Sequence, residues 1–296
     1  MPTLVALRHH TTYHYDRPVI LGPQTVRLRP APHTRTPILS YLLTIRPEPH
    51  TRHWHQDPPG NFLARIFFPE PTSRFELTVD LTADLAETNP FDFFLEPDAV
   101  NWPFRYSPLL EQELTPYRVA EGSPPWLAAL LAEVPLGTQP SIDMLVTLNR
   151  LVQKRVSYVT RMEAGVQGPQ QTLERGSGSC RDAAWLLVQV TRNLGYAARF
   201  VSGYLIQLAD TERSVPGIEA DGADLHAWAE IYLPGAGWLG FDSTSGLMTG
   251  SGHIPLACSA HPASAAPVSG TVQANATSFT VETSVTRLPT LPITPA

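Results

Sequence analysis

The stretch GSGSCRDAAWLLVQVTRNLGYAARFVSGYL, residues 176–205, holds the plan of the second half of this chain. Gly176 and Gly178 make a short loop that another backbone or a substrate chain can approach closely. Ala183, Ala184, Leu186, Leu187, Val190 and Leu194 then recur at helical spacing, which predicts a helix from Cys180 to Leu194, and Gly195 stands where helices usually stop. Phe200 to Ile206 reads as a strand. Cys180 therefore opens a helix. A thiol there faces unpaired backbone N–H groups and the positive end of the helix dipole, a setting that favours the thiolate and suits an oxyanion. A buried structural cysteine is the competing reading, and position alone does not overturn it.

Downstream, DLHAWAEIYLPGAGWLGFDSTSGL (224–247) supplies the partners. In the strand predicted for Leu225–Leu233, His226, Trp228, Glu230 and Tyr232 lie on one face, while Leu225, Ala227, Ala229, Ile231 and Leu233 lie on the other. Pro234-Gly235-Ala236-Gly237 turns this strand into a second one, Trp238–Asp242. An imidazole at His226 can take the proton of a thiol and return it to a leaving amine, and a carboxylate at Asp242 can fix the imidazole tautomer. Register sets a condition. A regular four-residue loop places Asp242 opposite Ala229, pointing away from His226, whereas a three- or five-residue loop, or a bulge near Gly240, brings it across from Trp228.

Upstream, prolines separate short β-like segments at Thr11–Tyr15, Gln24–Leu28, Leu39–Ile45, Phe62–Phe68 and Phe75–Leu81, the pattern of a sandwich or half-barrel. The expected organisation is α+β: an N-terminal antiparallel β-sandwich-like domain over 1–88, a Pro- and aromatic-rich ordered connector over 89–135, and a catalytic domain over 136–250. That domain opens with a helix that has Ser141 as N-cap. An Ala/Ser/Pro-rich tail, 251–296, ends in a strand expected to return to the first domain.

Of the 296 residues, 43% are hydrophobic, and 21 Lys and Arg stand against 27 Asp and Glu for a net charge of −6. Without a basic run the chain has no footprint for nucleic acid. No apolar stretch reaches the length of a membrane span, and no basic-then-apolar leader opens the chain, so no membrane role is expected. Two cysteines in a chain of this length suit a reducing compartment, and a cytoplasmic location is expected. The 30 prolines, about twice the average usage of ~5%, place much of the chain in edges and turns. His9, His10 and His14, and His50, His53 and His55, lack an accompanying Cys or carboxylate cluster, so no metal and no cofactor are expected.

Cys in G-S-C-R-D, His in H-A-W-A-E and Asp in G-F-D, in that order, resemble the bacterial branch of the transglutaminase-like superfamily of papain-type cysteine enzymes. The opening LRHHTTYHYDRPV (7–19) resembles that branch's N-terminal region. Many members have D-P-T where this chain has Asp242-Ser243-Thr244. The resemblance implies a papain-like core with Cys180 as nucleophile, His226 as base and Asp242 as orienter, acting on a peptide or amide substrate through a thioester. Hydrolysis is the expected outcome, with transglutaminase-type or arylamine-type acyl transfer and a non-catalytic peptide-binding module as alternatives. Asp182 either offsets the helix dipole or orients substrate. Trp228 is either a wall of the acyl pocket or core, and Gln167 is a candidate oxyanion donor. Cys258 is expected to be an inert residue of the tail. The polar loop 207–224 and the glycine loop 165–179 are expected to shape specificity.

Overall fold

Alternation decides the first domain. In the computed structural model, which describes residues 3–120, 125–209, 220–273, 276 and 278–289, Phe75, Leu77, Val79 and Leu81 are buried. They lie along a long strand whose other side chains are more open, the period-2 signature of one core-facing side. Six strands precede residue 85: β1 (Leu4–Val19), β2 (Leu21–Val26), β3 (Ile38–Arg46), β4 (Thr51–Gln56), β5 (Phe62–Phe67) and β6 (Thr72–Asp84). The sequence reading contains all of these but β4, whose residues are all exposed and carry no apolar alternation. Two strands near the C-terminus, β11 (Val268–Val272) and β12 (Ser278–Arg287), complete the sheets. One sheet runs β12-β1-β6-β3 and the other β11-β2-β5-β4. Val5, Leu7, Val26, Ile66, Leu77 and Val79 meet between them in one apolar cluster, which is a β-sandwich.

The second unit is built on two helices, α1 (Ser141–Arg155) and α2 (Cys180–Asn193), and four strands, β7 (Ala197–Gln207), β8 (Gly222–Leu233), β9 (Gly237–Asp242) and β10 (His253–Ser259). The strands form an antiparallel sheet in the order β9-β8-β7-β10, with the short bridge Leu247–Met248 outside β9. Met144, Leu148 and Val152 of α1 pack with Ala183, Leu187 and Val190 of α2 against Ala227, Ala229 and Ile231 of β8. Gly195, with φ of 92°, lets the chain leave α2 and enter β7. Among the described residues no helix is long and apolar enough to cross a membrane.

Three expectations change. Pro140 is the N-cap of α1 and Ser141 its first residue; the Ser141 hydroxyl donates to the Ala99 carbonyl at 2.7 Å instead of capping the helix. Residues 253–259, read from composition as tail, form β10, and the sheet of the second unit extends to Ser259. Cys258 is therefore a buried strand residue. Both faces of β8 are buried, since Trp228 and Glu230 are covered as fully as Ala229. The connector supplies part of that cover: Tyr106, Leu114 and Tyr117 pack on Ala197, Tyr232 and Trp238.

The two units share a boundary. Tyr204 and Ile206 of β7, and Ile254 and Leu256 of β10, belong to the same apolar cluster as the sandwich. Polar bonds cross it as well. The Ala31 N–H donates to the Pro255 carbonyl (2.8 Å), and Asn61 both donates to the Cys258 carbonyl (2.8 Å) and accepts from its N–H (2.8 Å). His9 bonds Tyr204 Oη through Nδ1 (2.8 Å) and Thr11 through Nε2 (2.7 Å), and burial lowers its pKa to about 4, with His10 adding to the shift. His10 is likewise held by Thr78 (2.9 Å) and Thr12 (3.0 Å). These rings are structural links of the sandwich.

Candidate active site

Cys180 is the first residue of α2 and is half-buried. Its helix start is organised by Asp182, a fully buried carboxylate. Asp182 accepts from the Ser179 N–H (2.8 Å), the Ser179 hydroxyl (2.8 Å), the Gln167 N–H (2.7 Å), Gln167 Nε2 (3.1 Å) and Arg161 Nε (2.9 Å). Burial opposes ionisation, but these donors hold Asp182 down at about 2. The residue thus anchors the loop around 161–168 to the N-terminus of α2. Gln167 is corrected as an oxyanion donor: its Nε2 is committed to Asp182 and to the Ser177 carbonyl (3.4 Å).

The hairpin meets the register condition by shortening its loop. Leu233 pairs with Gly237, so only Pro234, Gly235 and Ala236 remain in the turn, with φ of 91° at Gly235 and 75° at Gly237. Ala229 then pairs with Phe241, and Asp242 stands one step further, level with Trp228 and diagonal to His226. Oδ1 of Asp242 lies 3.1 Å from Nε2 of His226 in an ion-pair contact that is off the line of the N–H bond. Cys180 also lies close enough to His226 to act on its protonation. Burial pushes His226 down, but the bonds and charges of Asp242 and Cys180 outweigh it and raise the imidazole to about 10. Burial also works against the Asp242 carboxylate, and His226 and His253 overcome it, holding the group far below the ordinary range. Cys180, His226 and Asp242 are thus brought together at the start of α2.

Trp228 is 1% exposed and backs this line. Its ring stacks on His226 (centroids 6.5 Å apart, planes at 30°), and its Nε1 donates to Glu230 (3.4 Å). It is core, with Val201 and Cys258 as neighbours, not the wall of a pocket. Gly203 makes its placement possible: a Cβ there would overlap the Trp228 ring and the Ile254 carbonyl oxygen. Burial raises Cys258 to about 11, which leaves it an unreactive thiol.

Sequence reasoning missed three residues. Asn149 of α1 is buried, donates to the carbonyls of Asp242 (3.2 Å) and Leu247 (3.1 Å), and accepts from Ser243 (3.0 Å), so it pins the turn after β9. Its signal is an amide on the apolar side of a helix. Tyr158 is exposed and pairs with Gly178 beside the cysteine loop; burial, with the charge of Cys180 adding, raises its hydroxyl pKa. His253 places Nε2 3.5 Å from Oδ2 of Asp242. Its signal was the alternation Ile254, Leu256 inside an otherwise tail-like composition. One atom each from His226, Asp242 and His253 lie within 4.8 Å of one another, and this trio is the group best placed among the described residues to hold a metal ion. A cavity of about 190 Å³ lined by Gln153, Tyr158, Gly178, Ser179, Ser243 and Thr244 adjoins both the cysteine loop and the Asp242 turn. In the loop 207–224, residues 210–219 lie outside the described residues.

Comparison with known proteins bears on the family and the fold. The bacterial transglutaminase-like N-terminal region matches residues 5–84, and the transglutaminase-like superfamily core matches residues 128–243. The uncharacterized protein Rv2569c of Mycobacterium tuberculosis is 25% identical over 290 residues, covering 95% of this chain and 91% of its own. The uncharacterized protein ML0607 of Mycobacterium leprae is 26% identical over 294 residues, covering 95% and 97%. Among solved structures, "a Putative Cysteine Protease from Cytophaga hutchinsonii" superposes with a TM-score of 0.70 at 18% identity, covering 98% of this chain and 92% of its own. That likeness is one of fold.

Proposed function

Because this chain belongs to the transglutaminase-like superfamily, with that family's bacterial N-terminal region ahead of the core, we propose that it carries out cysteine-dependent acyl chemistry on an amide or peptide bond, with water as the final acceptor. The observation that carries the reading is the grouping of Cys180, at the start of a helix, with His226 and Asp242, whose Nε2 and Oδ1 lie 3.1 Å apart. Cys180 attacks the carbonyl carbon. The proton it gives up resides on His226, which delivers it to the departing amine, leaving a thioester on the sulfur. The same imidazole then accepts a proton from an incoming water, which breaks the thioester and releases the acid. Asp242 holds the ring in the tautomer that presents Nδ1 to the sulfur and stabilises the imidazolium. Free N–H groups in the first turn of α2 suit the oxyanion of the tetrahedral intermediate.

Hydrolysis is favoured over transfer because water is always present, whereas selection of an amine requires a second dedicated pocket. The cavity beside Ser179 and Ser243 is small and polar at its rim, which supports a site for a short side chain or a water-bearing channel more than one for a second large substrate. The test is intact-mass analysis after incubation with a library of short amides and peptides, with and without a primary amine, for the wild type and Cys180→Ala. Cys180-dependent hydrolysis is the expected result. Incorporation of the amine would replace hydrolysis with transfer. Absence of any adduct or product, together with a thiol of ordinary reactivity, would remove the enzymatic reading in favour of a peptide-binding module.

A further inference from the structure

The carboxylate of Asp242 carries two imidazoles, one on each oxygen. His226 meets Oδ1 at 3.1 Å and His253 meets Oδ2 at 3.5 Å. The Gly250 N–H donates to Nδ1 of His253 at 3.2 Å. A backbone amide can only donate, so that ring nitrogen carries no proton, and the proton of the neutral imidazole sits on Nε2, facing Asp242. The ring is held in place, edge-on to Trp228 with centroids 5.3 Å apart, and Trp228 also stacks on His226.

The remaining bonds to this carboxylate come from its own turn. The Thr244 N–H donates to Oδ1 (2.8 Å) and the Ser245 hydroxyl to Oδ2 (2.9 Å), so both donors move with the segment that follows β9. His253 comes from β10, which is paired to β7 and fixed to the sandwich through the bond from Ala31 to Pro255. It joins two other ties from outside the loop, His226 of β8 on Oδ1 and Asn149 of α1 on the Asp242 backbone carbonyl, and it engages Oδ2. We propose that His253 is a positioning residue for the candidate catalytic unit: its ring, in ion-pair contact with Oδ2 through Nε2, keeps Oδ1 turned toward His226. The proposal rests on the reading of Cys180, His226 and Asp242 as that unit. The titratable groups that share this corner are His226 from β8, Asp242 from β9 and Cys180 from α2; the two imidazoles stand 6.1 Å apart, and the uncharged Trp228 ring packs against both.

Two variants separate positioning from packing. His253→Phe keeps an aromatic ring against Trp228 and removes the donor, while His253→Gln returns an N–H donor on a flexible stem. The first readout is the pH profile of Cys180 alkylation by iodoacetamide; the second is titration of the His226 ring, followed by NMR of protein labelled with 15N-histidine. His253→Phe is expected to slow alkylation at neutral pH by about tenfold and to lower the His226 midpoint, as a slightly misplaced catalytic group would. His253→Gln is expected to recover most of both. A His253→Phe protein that matches wild type in rate and titration, while His226→Ala is slow, would overturn the proposal and leave the catalytic reading standing. If His226→Ala alkylates as fast as wild type, the catalytic reading fails and the proposal with it. Dialysis against EDTA should leave the wild-type rate unchanged; a change would assign the trio to an ion and overturn the positioning role.

Discussion

Asp242→Asn removes one negative charge 3.1 Å from Nε2 of His226 while keeping the shape of the side chain. At that separation a unit-charge pair is worth about 5 kcal/mol with an effective dielectric constant near 20, or some three to four pKa units at about 1.4 kcal/mol per unit. The imidazole stands at about 10, against an ordinary 6.5, with burial working against it. Losing the carboxylate should therefore return His226 to about its ordinary value or below. A second effect adds to the first. An amide nitrogen presented to Nε2 donates to it, which moves the ring proton to Nδ1 and leaves no free lone pair facing Cys180. Alkylation of Cys180 should fall by at least about 100-fold at neutral pH.

The assay is the NMR titration of the His226 ring, assigned by its loss in His226→Gln. The stability difference has a defined sign. A histidine with a raised pKa contributes stability that is complete below pH 6.5 and is lost as pH rises through about 10. The variant should thus fall furthest short of wild type in melting temperature near pH 6 and draw level with it as the pH approaches 10. A variant in which His226 titrates within about half a unit of wild type would refute the argument, since the carboxylate would then not be what holds the imidazolium.

Three more perturbations test the surroundings of the site. Asp182→Ala strips the acceptor from Arg161, Gln167 and Ser179 at once and should cost about 3–5 kcal/mol, read as a large drop in thermal midpoint; a change under about 1 kcal/mol would mean that the loop around 161–168 is held by other means. Gly203→Ala should destabilise by about 1–3 kcal/mol and slow Cys180 alkylation, because the added methyl must displace Trp228, on which His226 stacks; normal stability with normal reactivity would show that the ring shifts freely. Peptide mapping after brief iodoacetamide treatment at pH 8 should find label on Cys180 and none on Cys258, whose thiol burial raises to about 11; early labelling of Cys258 would contradict its place between Val201 and Trp228.

The order of Cys180, His226 and Asp242 was legible because each stands at a landmark that local pattern reveals: a helix start after glycines, a strand face, a strand end. The hairpin register was legible only as a condition, since Pro-Gly-Ala-Gly closes with three residues or four, and the twist of the flanking strands decides between them. Gln167 misled because a glutamine in a loop beside a cysteine helix has two possible employers, and here the buried carboxylate of Asp182 wins its donors. β10 and His253 were hidden for a different reason. Alanine, serine and proline around Ile254 and Leu256 look like a linker, and the segment is a strand because β7 offers it an edge and the sandwich offers it a cover. Such tertiary support leaves little trace in local composition.

The pairing of residues 5–14 with 278–287, and of 21–26 with 268–272, has a consequence for how the protein is made. On the ribosome the first six strands emerge as two sheets that each lack an outer neighbour, and they must wait through the synthesis of the whole second unit before β11 and β12 arrive. Until then β1 and β2 present open rows of peptide groups to any other nascent chain. A message broken, or translation halted, late in the second unit would yield a protein with Cys180 present and the sandwich unsealed. Cellular quality control would meet that product as a sticky, protease-sensitive intermediate.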